Sequence, residues 1–178
     1  RIGPERALQS GEISPSQMKK AIQITALLSF ALALGLIFIS FDSSELHYVL
    51  MFLFLGALSI WAAIRYTVGD DAYGYSGLGD VFVFVFFGLV AVLGGYFLYD
   101  HQWIPSFILP AASIGFLSSA VLNLNNMRDM ESDHLSNKRT LVVKLGLPIS
   151  KRYHFFLILS PLALSIGFNI LNDLNAWH

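Results

Sequence analysis

The chain has 178 residues, of which 55% are hydrophobic and only 13% are charged, and its mean hydropathy is +0.62. A water-soluble domain of this composition would have too little polar surface to cover itself, so we expect the lipid bilayer to be its solvent. The formal net charge of −1 argues against a general nucleic-acid-binding surface, and the absence of cysteine excludes disulfides, thiolate metal sites and cysteine nucleophiles.

Five apolar segments can each supply the roughly 20 residues that cross a hydrocarbon core as a helix. We place these spans near residues 21–41, 46–68, 81–99, 104–122 and 154–171. The third span is rich in β-branched and aromatic residues, but it lacks the polar alternation of a barrel strand, so a helix is favoured. The predicted fold class is all-α, a polytopic transmembrane helical bundle that forms a single domain over residues 1–178.

The basic residues predict the orientation of the bundle. When alternate connections are assigned to one side of the membrane, all 11 Lys and Arg residues fall on the same side. Because this bias is typical of cytoplasmic connections, we predict a cytoplasmic amino terminus and a functional site in the long inner loops. At the entry to the first span, Ser14 and Pro15 predict an N-cap and a first helical residue.

The segment 121–146, VLNLNNMRDMESDHLSNKRTLVVKLG, is the most informative part of the sequence. If the fourth helix continues past the membrane face, Asn126, Asp129 and Asp133 lie within an arc of roughly 60°, with Asn123 about a turn above. Arg128 points away from this face. Ligation by oxygen alone suits Mg²⁺ or Mn²⁺, and Mg²⁺ commonly bridges carboxylates to the phosphates of a substrate. The same face therefore predicts a phosphorylated ligand.

Two features after this helix leave alternatives open. Lys138 and Arg139 are placed to hold phosphate oxygens, but spacing alone is equally compatible with an ordinary solvated loop of mixed charge. We interpret His134 as a surface residue rather than as a metal ligand.

The other inner segments carry less specific signals. Residues 65–80, RYTVGDDAYGYSGLGD, predict a compact loop with glycine turns. Asp70, Asp71 and Asp80 are either metal ligands or exposed acidic residues of turns. Arg6 is either a pyrophosphate contact or a positive anchor at the membrane surface.

Residues 121–146 resemble the second aspartate-rich motif of the UbiA superfamily of intramembrane prenyltransferases, N-x-x-D-x-x-x-D followed by K-x-T-L and a glycine. The matching residues are Asn126, Asp129, Asp133, Lys138, Thr140, Leu141 and Gly146. The doubled asparagine and T-L-V-V-K-L-G are most similar to the branch of 1,4-dihydroxy-2-naphthoate polyprenyltransferases, which make menaquinone precursors. Residues 3–11 and 73–88 resemble other inner segments of that branch. One departure is Asn137, where the family often has glycine, although asparagine also tolerates the left-handed conformation.

The resemblance implies a function and the residues that perform it. It implies transfer of a polyprenyl group from polyprenyl diphosphate to 1,4-dihydroxy-2-naphthoate, with decarboxylation, by an enzyme of the bacterial inner membrane that uses Mg²⁺ or Mn²⁺. Asp129 and Asp133 would be catalytic metal ligands assisted by Asn126, and Lys138 would be catalytic. The remaining substrate-binding residues implied are Arg139, Arg6, Tyr75 and Asp80.

The resemblance also implies that an intact family member has about nine spans and a first aspartate motif, which would precede Arg1. We therefore expect the chain by itself to be inactive. Three alternatives remain: a sibling enzyme that uses 4-hydroxybenzoate or a chlorophyll-type acceptor, a carrier or divalent-cation transporter, and a non-catalytic membrane scaffold. The transporter would need ionisable residues buried at the middle of the membrane, which these spans lack.

Overall fold

The computed structural model describes residues 10–67 and 72–173, and none of these residues forms a β-strand. The α-helices are α1 Pro15–Ser40, α2 Leu46–Thr67, α3 Gly79–Val83, α4 Gly94–Asp100, α5 Ile108–Arg128, α6 Met130–Leu135, α7 Leu141–Leu145 and α8 Leu147–Leu171. A π-helix, Phe84–Leu93, joins α3 to α4, and the 3₁₀-helices are Ser43–Glu45, Tyr73–Tyr75 and Pro105–Phe107. The all-α prediction is confirmed.

Among the described residues, five helices are long and apolar enough to cross a membrane, as predicted, and their bounds are Pro15–Ser40, Ser43–Tyr66, Gly79–Asp100, Pro105–Arg128 and Leu147–Leu171. The first helix begins at Pro15, as the Ser14–Pro15 pair predicts, and the last begins at Leu147, ahead of the apolar run that marks the predicted span. Ser14 caps the first helix: its hydroxyl accepts a hydrogen bond from the amide of Gln17, whose side chain accepts one from the amide of Ser14. Gly146, with φ of 75°, ends α7 and starts α8.

Two compact units divide the chain, Arg1–Gly56 and Ala57–His178. The prediction of a single domain stays a prediction. Within the first unit, Phe41 at the end of α1 is 6% exposed, and its ring lies 5.5 Å from the rings of both Tyr48 and Phe52 on α2. This aromatic cluster holds the turn between the two helices.

Helix α5 is the centre of the second unit, where it packs against the π-helix and against α8. It runs antiparallel to α8, because Ser106 near its start bonds Asn172 at 3.0 Å and Ser113 bonds the carbonyl of Pro161 at 3.5 Å. Closer to the other end, the rings of Phe116 and Phe156 are 5.5 Å apart.

The crossing of the π-helix and α5 depends on two glycines. A Cβ atom at Gly88 would lie 2.6 Å from the Cα of Gly115 and 2.7 Å from the carbonyl oxygen of Ala111. A Cβ at Gly115 would lie 2.9 Å from the carbonyl oxygen of Phe84. Small residues at such a crossing let two backbones approach closely, which is the main source of helix association in lipid.

We predict that Gly88→Ala destabilises the protein, whereas the matched change Gly95→Ala does not. The new methyl at Gly88 would press on backbone atoms and cost about 1–3 kcal/mol, but a Cβ at Gly95 would meet nothing within 4 Å. The measurement is the fraction of protein that stays monodisperse in detergent after heating. Equal midpoints for the two variants would contradict the crossing described above.

Candidate functional site at the basic end of helix α5

The predicted acidic residues lie where α5 passes into α6. Asp129 separates the two helices, yet its amide donates to the carbonyl of Asn125 at 2.9 Å, and the amide of Asp133 donates to the carbonyl of Asp129 at 2.8 Å. Helical spacing therefore continues through the junction, as the sequence predicts. Asn126 is 7% and Asp133 8% exposed, so this face turns into the protein, and the interpretation as a solvated loop is wrong for Asp133.

Each carboxylate is matched by a cation. The Nζ of Lys138 lies 3.3 Å from both oxygens of Asp133, which is longer than the 2.7–2.9 Å usual for charge-assisted bonds. Arg128 donates through Nε and Nη2 to the two oxygens of Asp129, at 2.9 Å each. The expectation that Arg128 points away from the acidic face was wrong, because its long side chain folds back onto the next residue.

The loop after α6 holds Lys138 in place. Asn137 adopts φ of 55°, which confirms that asparagine can supply the left-handed turn, and the amide of Lys138 then donates to the carbonyl of Asp133 at 2.9 Å. Thr140, 2% exposed, caps α7 through its hydroxyl, which accepts from the amide of Val143 at 3.4 Å. The lysine is thus positioned by backbone geometry on both sides.

A second inner loop is hydrogen-bonded to this one. The amide of Arg139 donates to the carbonyl of Tyr75 at 2.9 Å, and the Nζ of Lys144 donates to the carbonyl of Ser76 at 2.7 Å. The Nζ of Lys138 lies 5.9 Å from the centre of the Tyr75 ring, a cation–π distance. Tyr75, predicted to bind substrate, is therefore beside the lysine of the acidic motif.

The loop carrying Lys138 forms one side of a polar cavity. The cavity measures about 340 Å³ and is lined by His134, Asn137, Lys138, Arg139, Val143 and Lys144. Three of these side chains are cationic and none is acidic, so the cavity favours an anion. His134 and Arg139 are exposed.

Asp80 differs from the expectation of an exposed acidic turn, because it lies in the first turn of α3 and is 5% exposed. Its carbonyl accepts a hydrogen bond from Ser119 of α5 at 3.1 Å, and its carboxylate faces the phenol of Tyr153 on α8. Among the described residues, Oδ1 of Asp80 has no hydrogen-bond partner. A buried carboxylate oxygen of this kind is available to a ligand or a water molecule.

The polar stripe on α5 includes Asn123, as predicted, and extends beyond the predicted face to Ser119. Asn123 is 0% exposed and, within the part of the chain that the structure describes, neither polar atom of its side chain has a partner. The spacing of Ser119, Asn123 and Asn126 by four and three residues puts them on one helix face, a signal already present in the sequence. Tyr153, in contrast, carried no signal, because only the packing of α8 brings it to Asp80.

An apolar cavity of about 580 Å³ adjoins the Tyr73–Tyr75 turn and is lined by Ser59, Ala62, Ala63, Tyr66, Tyr73, Phe82, Val83, Phe86, Phe87 and Ala91. Tyr73 forms part of this wall: its ring stacks on Phe82 at 3.8 Å, and its hydroxyl donates to the carbonyl of Ala62 at 2.6 Å. The turn Tyr73–Tyr75 therefore borders the apolar cavity through Tyr73 and contacts the loop carrying Lys138 through Tyr75.

A divalent cation at the junction would have few protein ligands. Across residues 10–67 and 72–173, no group of three His, Cys, Asp or Glu side chains could hold a metal, so a site here would have at most the carboxylates of Asp129 and Asp133 with the amide of Asn126. Mg²⁺ is commonly held in this way, by one or two carboxylates together with substrate phosphates and water. Arg6, Asp70 and Asp71 lie outside the described residues.

These features define an integral membrane protein with five apolar spans and a polar, partly buried site at the basic end of its helices. The chain belongs to the UbiA prenyltransferase family, whose model matches residues 1–177.

Three curated relatives are named 1,4-dihydroxy-2-naphthoate octaprenyltransferase. The Escherichia coli K12 protein is 45% identical over 99% of this chain and 57% of its own length, and the Haemophilus influenzae protein is 46% identical over 89% and 51%. The Mycobacterium leprae protein is 38% identical over 82% and 47%. The chain thus spans about half the length of the curated relatives it matches. No solved structure matches it.

We predict that Asn137→Val loosens the loop that positions Lys138, whereas Asn137→Gly preserves it. The backbone here has φ of 55°, which glycine adopts freely and a β-branched residue adopts at a cost of about 1–2 kcal/mol. The measurement is hydrogen exchange of the Lys138 amide, which should be about ten-fold faster in the valine variant. Equal protection in the two variants would show that the turn does not hold this loop.

Proposed function

We propose that this protein is a prenyltransferase that joins the polyprenyl group of a polyprenyl diphosphate to 1,4-dihydroxy-2-naphthoate, with loss of the ring carboxylate, to give demethylmenaquinone. The observation that carries the proposal is the burial of Asp133, 8% exposed, beside Asn126 and under Lys138 at the basic end of a membrane helix. The names of the relatives support this acceptor and suggest an octaprenyl donor.

Asp129 and Asp133, with the amide oxygen of Asn126, would hold Mg²⁺. When bound, the cation would neutralise the diphosphate of the donor and make it a better leaving group. The long contact of Lys138 with Asp133, 3.3 Å to each oxygen, supports an ammonium group that can leave the carboxylate. Lys138 would then turn its charge toward the diphosphate, where negative charge develops as the allylic bond breaks.

The donor is an amphiphile, and the two cavities suit its two ends. Arg139 and Lys144 line the cationic cavity, which would accept phosphate oxygens. The apolar cavity beside Tyr73 and Phe82 would take part of the isoprenoid tail and exclude water from the reactive carbon. Arg6 is proposed as a further diphosphate contact.

The aromatic acceptor would bind on the side of Tyr75 and Asp80. The Oδ1 of Asp80, buried and without a partner among the described residues, is a suitable acceptor for a hydroxyl hydrogen of the naphthoate. Accepting that hydrogen bond would raise the electron density of the ring, which attacks the allylic carbon. Tyr75 would close the pocket with its half-exposed ring.

We place the protein in the bacterial inner membrane, with its amino terminus and the site on the cytoplasmic side. All 11 basic residues fall in connections assigned to that side, and such an excess of Lys and Arg is typical of loops that stay in the cytoplasm. Polyprenyl diphosphate would reach the apolar cavity from the membrane, and the polar acceptor would arrive from the cytoplasm.

We predict that Asp133→Asn weakens the Mg²⁺-dependent binding of a fluorescent prenyl diphosphate to the chain in nanodiscs by about ten-fold or more. The amide keeps the shape of the side chain but removes the negative charge that would hold the cation. The matched control is Glu131→Gln, which removes an exposed carboxylate from the same short helix and should change binding less than two-fold. Binding that survives both Asp133→Asn and chelation by EDTA would refute the metal site.

We also predict the choice of acceptor. Membranes from cells that express this chain within a protein of the relatives' length should prenylate 1,4-dihydroxy-2-naphthoate at least ten-fold faster than 4-hydroxybenzoate, and Asp80→Asn should lower the rate with the naphthoate. The readout is the extractable radiolabelled product. A preference for 4-hydroxybenzoate would show that the sibling enzyme is the correct identity.

A further inference from the structure

A further cavity on the α5–α8 pair shares no lining residue with the two cavities used above, and it adjoins the acidic motif only through the contact of Arg128 with Asp129. It measures about 520 Å³ and is lined by Leu124, Asn125, Met127, Arg128, Leu147 and Lys151. Two of its side chains are cationic, one at the end of α5 and the other in the first turns of α8. Because the helices are antiparallel, both charges lie at the same, basic end of the pair.

The charges in this cavity are incompletely matched. Asp129 accepts from Arg128 through Nε and Nη2, which leaves three of the five guanidinium N–H groups for another acceptor. Lys151 is exposed and forms no ion pair with any residue of 10–67 or 72–173. The first turn of α8 has no acidic residue and no side-chain cap, so its amides add positive potential.

Apolar stripes lead away from the two cations along both helices. Leu124, Val121 and Leu117 precede Arg128 at helical spacing on α5, and they are 56%, 62% and 41% exposed. Phe155, Ile158 and Leu162 follow Lys151 in the same way on α8, and they are 67%, 41% and 61% exposed. Arg128 and Lys151 therefore lie at the polar end of two apolar stripes that run toward the middle of the membrane.

We propose that this cavity is a binding site for an anionic phospholipid of the inner leaflet. The phosphate of the headgroup would lie between Arg128 and Lys151, and an acyl chain would follow the stripe through Leu124 and Val121. A positive pocket between membrane helices on the cytoplasmic side has the charge and the depth that anionic headgroups require. A free phosphate would gain only the charge contact, so the apolar stripes favour a lipid.

The test is native mass spectrometry of the chain in detergent, titrated with phosphatidylglycerol or with zwitterionic phosphatidylcholine. We expect one retained phosphatidylglycerol that phosphatidylcholine does not replace at equal concentration. Lys151→Gln should weaken the binding of phosphatidylglycerol about five-fold, which is the effect of one basic residue near an anionic surface. Arg152→Gln, the matched control, removes an equal charge from the next position, which does not line the cavity, and should change affinity less than two-fold.

Three further outcomes decide the assignment. Lys151→Arg should restore the affinity, since it keeps the charge, and a failure to restore it would overturn the proposal. Equal weakening by Lys151→Gln and Arg152→Gln would also overturn it, because a general surface charge would then explain the binding. Displacement of the lipid by farnesyl diphosphate, but not by inorganic phosphate, would assign the cavity to the prenyl donor and overturn the proposal of a lipid site. Unchanged circular dichroism of each variant establishes that it is folded.

Discussion

The fold around the site depends on one constraint, the burial of a polar stripe on a helix whose other faces are apolar. Ser119, Asn123, Asn126 and Asp133 follow one another at helical spacing, and each is less than 9% exposed. Burying polar groups in or near lipid is costly unless they are paired. The surrounding segments supply partners to Ser119 and Asp133, whereas the side chain of Asn123 has none among the described residues. Asp80, Tyr153 and Lys138 come from three other segments, and each is positioned by packing against α5 or its continuation.

Close packing makes this arrangement possible. The contact of Gly88 with Gly115 brings the backbones of the third span and α5 together, which places Asp80, two turns from Gly88, against Ser119. The π-helical stretch within the same span, Phe84–Leu93, has one extra residue per hydrogen-bonded turn and is unusually long, since π-helices mostly occur as single-turn bulges. The packing of helices within the membrane thus sets the geometry of the site, at some distance from the charged residues of the site.

The basic residues of the chain serve more than one purpose. The positive-inside pattern alone would treat all of them as anchors, but the structure separates them by their surroundings. Lys138 contacts the carboxylate of Asp133 and the ring of Tyr75, and Lys144 donates a hydrogen bond that joins two loops. Lys151 is exposed and lines the cavity that also contains Arg128. These different environments suit different proposed ligands, the prenyl diphosphate for Lys138 and a membrane lipid for Lys151.

The sequence by itself determined the class of fold, the number of spans and the acidic motif, because each is a local pattern. A run of apolar residues is enough to define a membrane helix, and a spacing of four residues is enough to put Asp129 and Asp133 on one face. The left-handed turn at Asn137 and the cap at Ser14 were equally local, and the structure confirms both. The predicted spans cover only the hydrophobic runs, and the helices that contain them begin earlier, at Pro15 and Leu147, because a helix can extend past the hydrocarbon core.

Only the tertiary structure decided which residues meet across the chain. The burial of Asp80, its proximity to Tyr153 and the hydrogen bond from Arg139 to Tyr75 join segments about 60–75 residues apart, and no local pattern encodes such distances. The pairing of Arg128 with Asp129 was missed for a different reason, since a long flexible side chain is not bound to the direction of its Cα–Cβ bond. Helical periodicity places side chains on faces, whereas packing decides what each face touches.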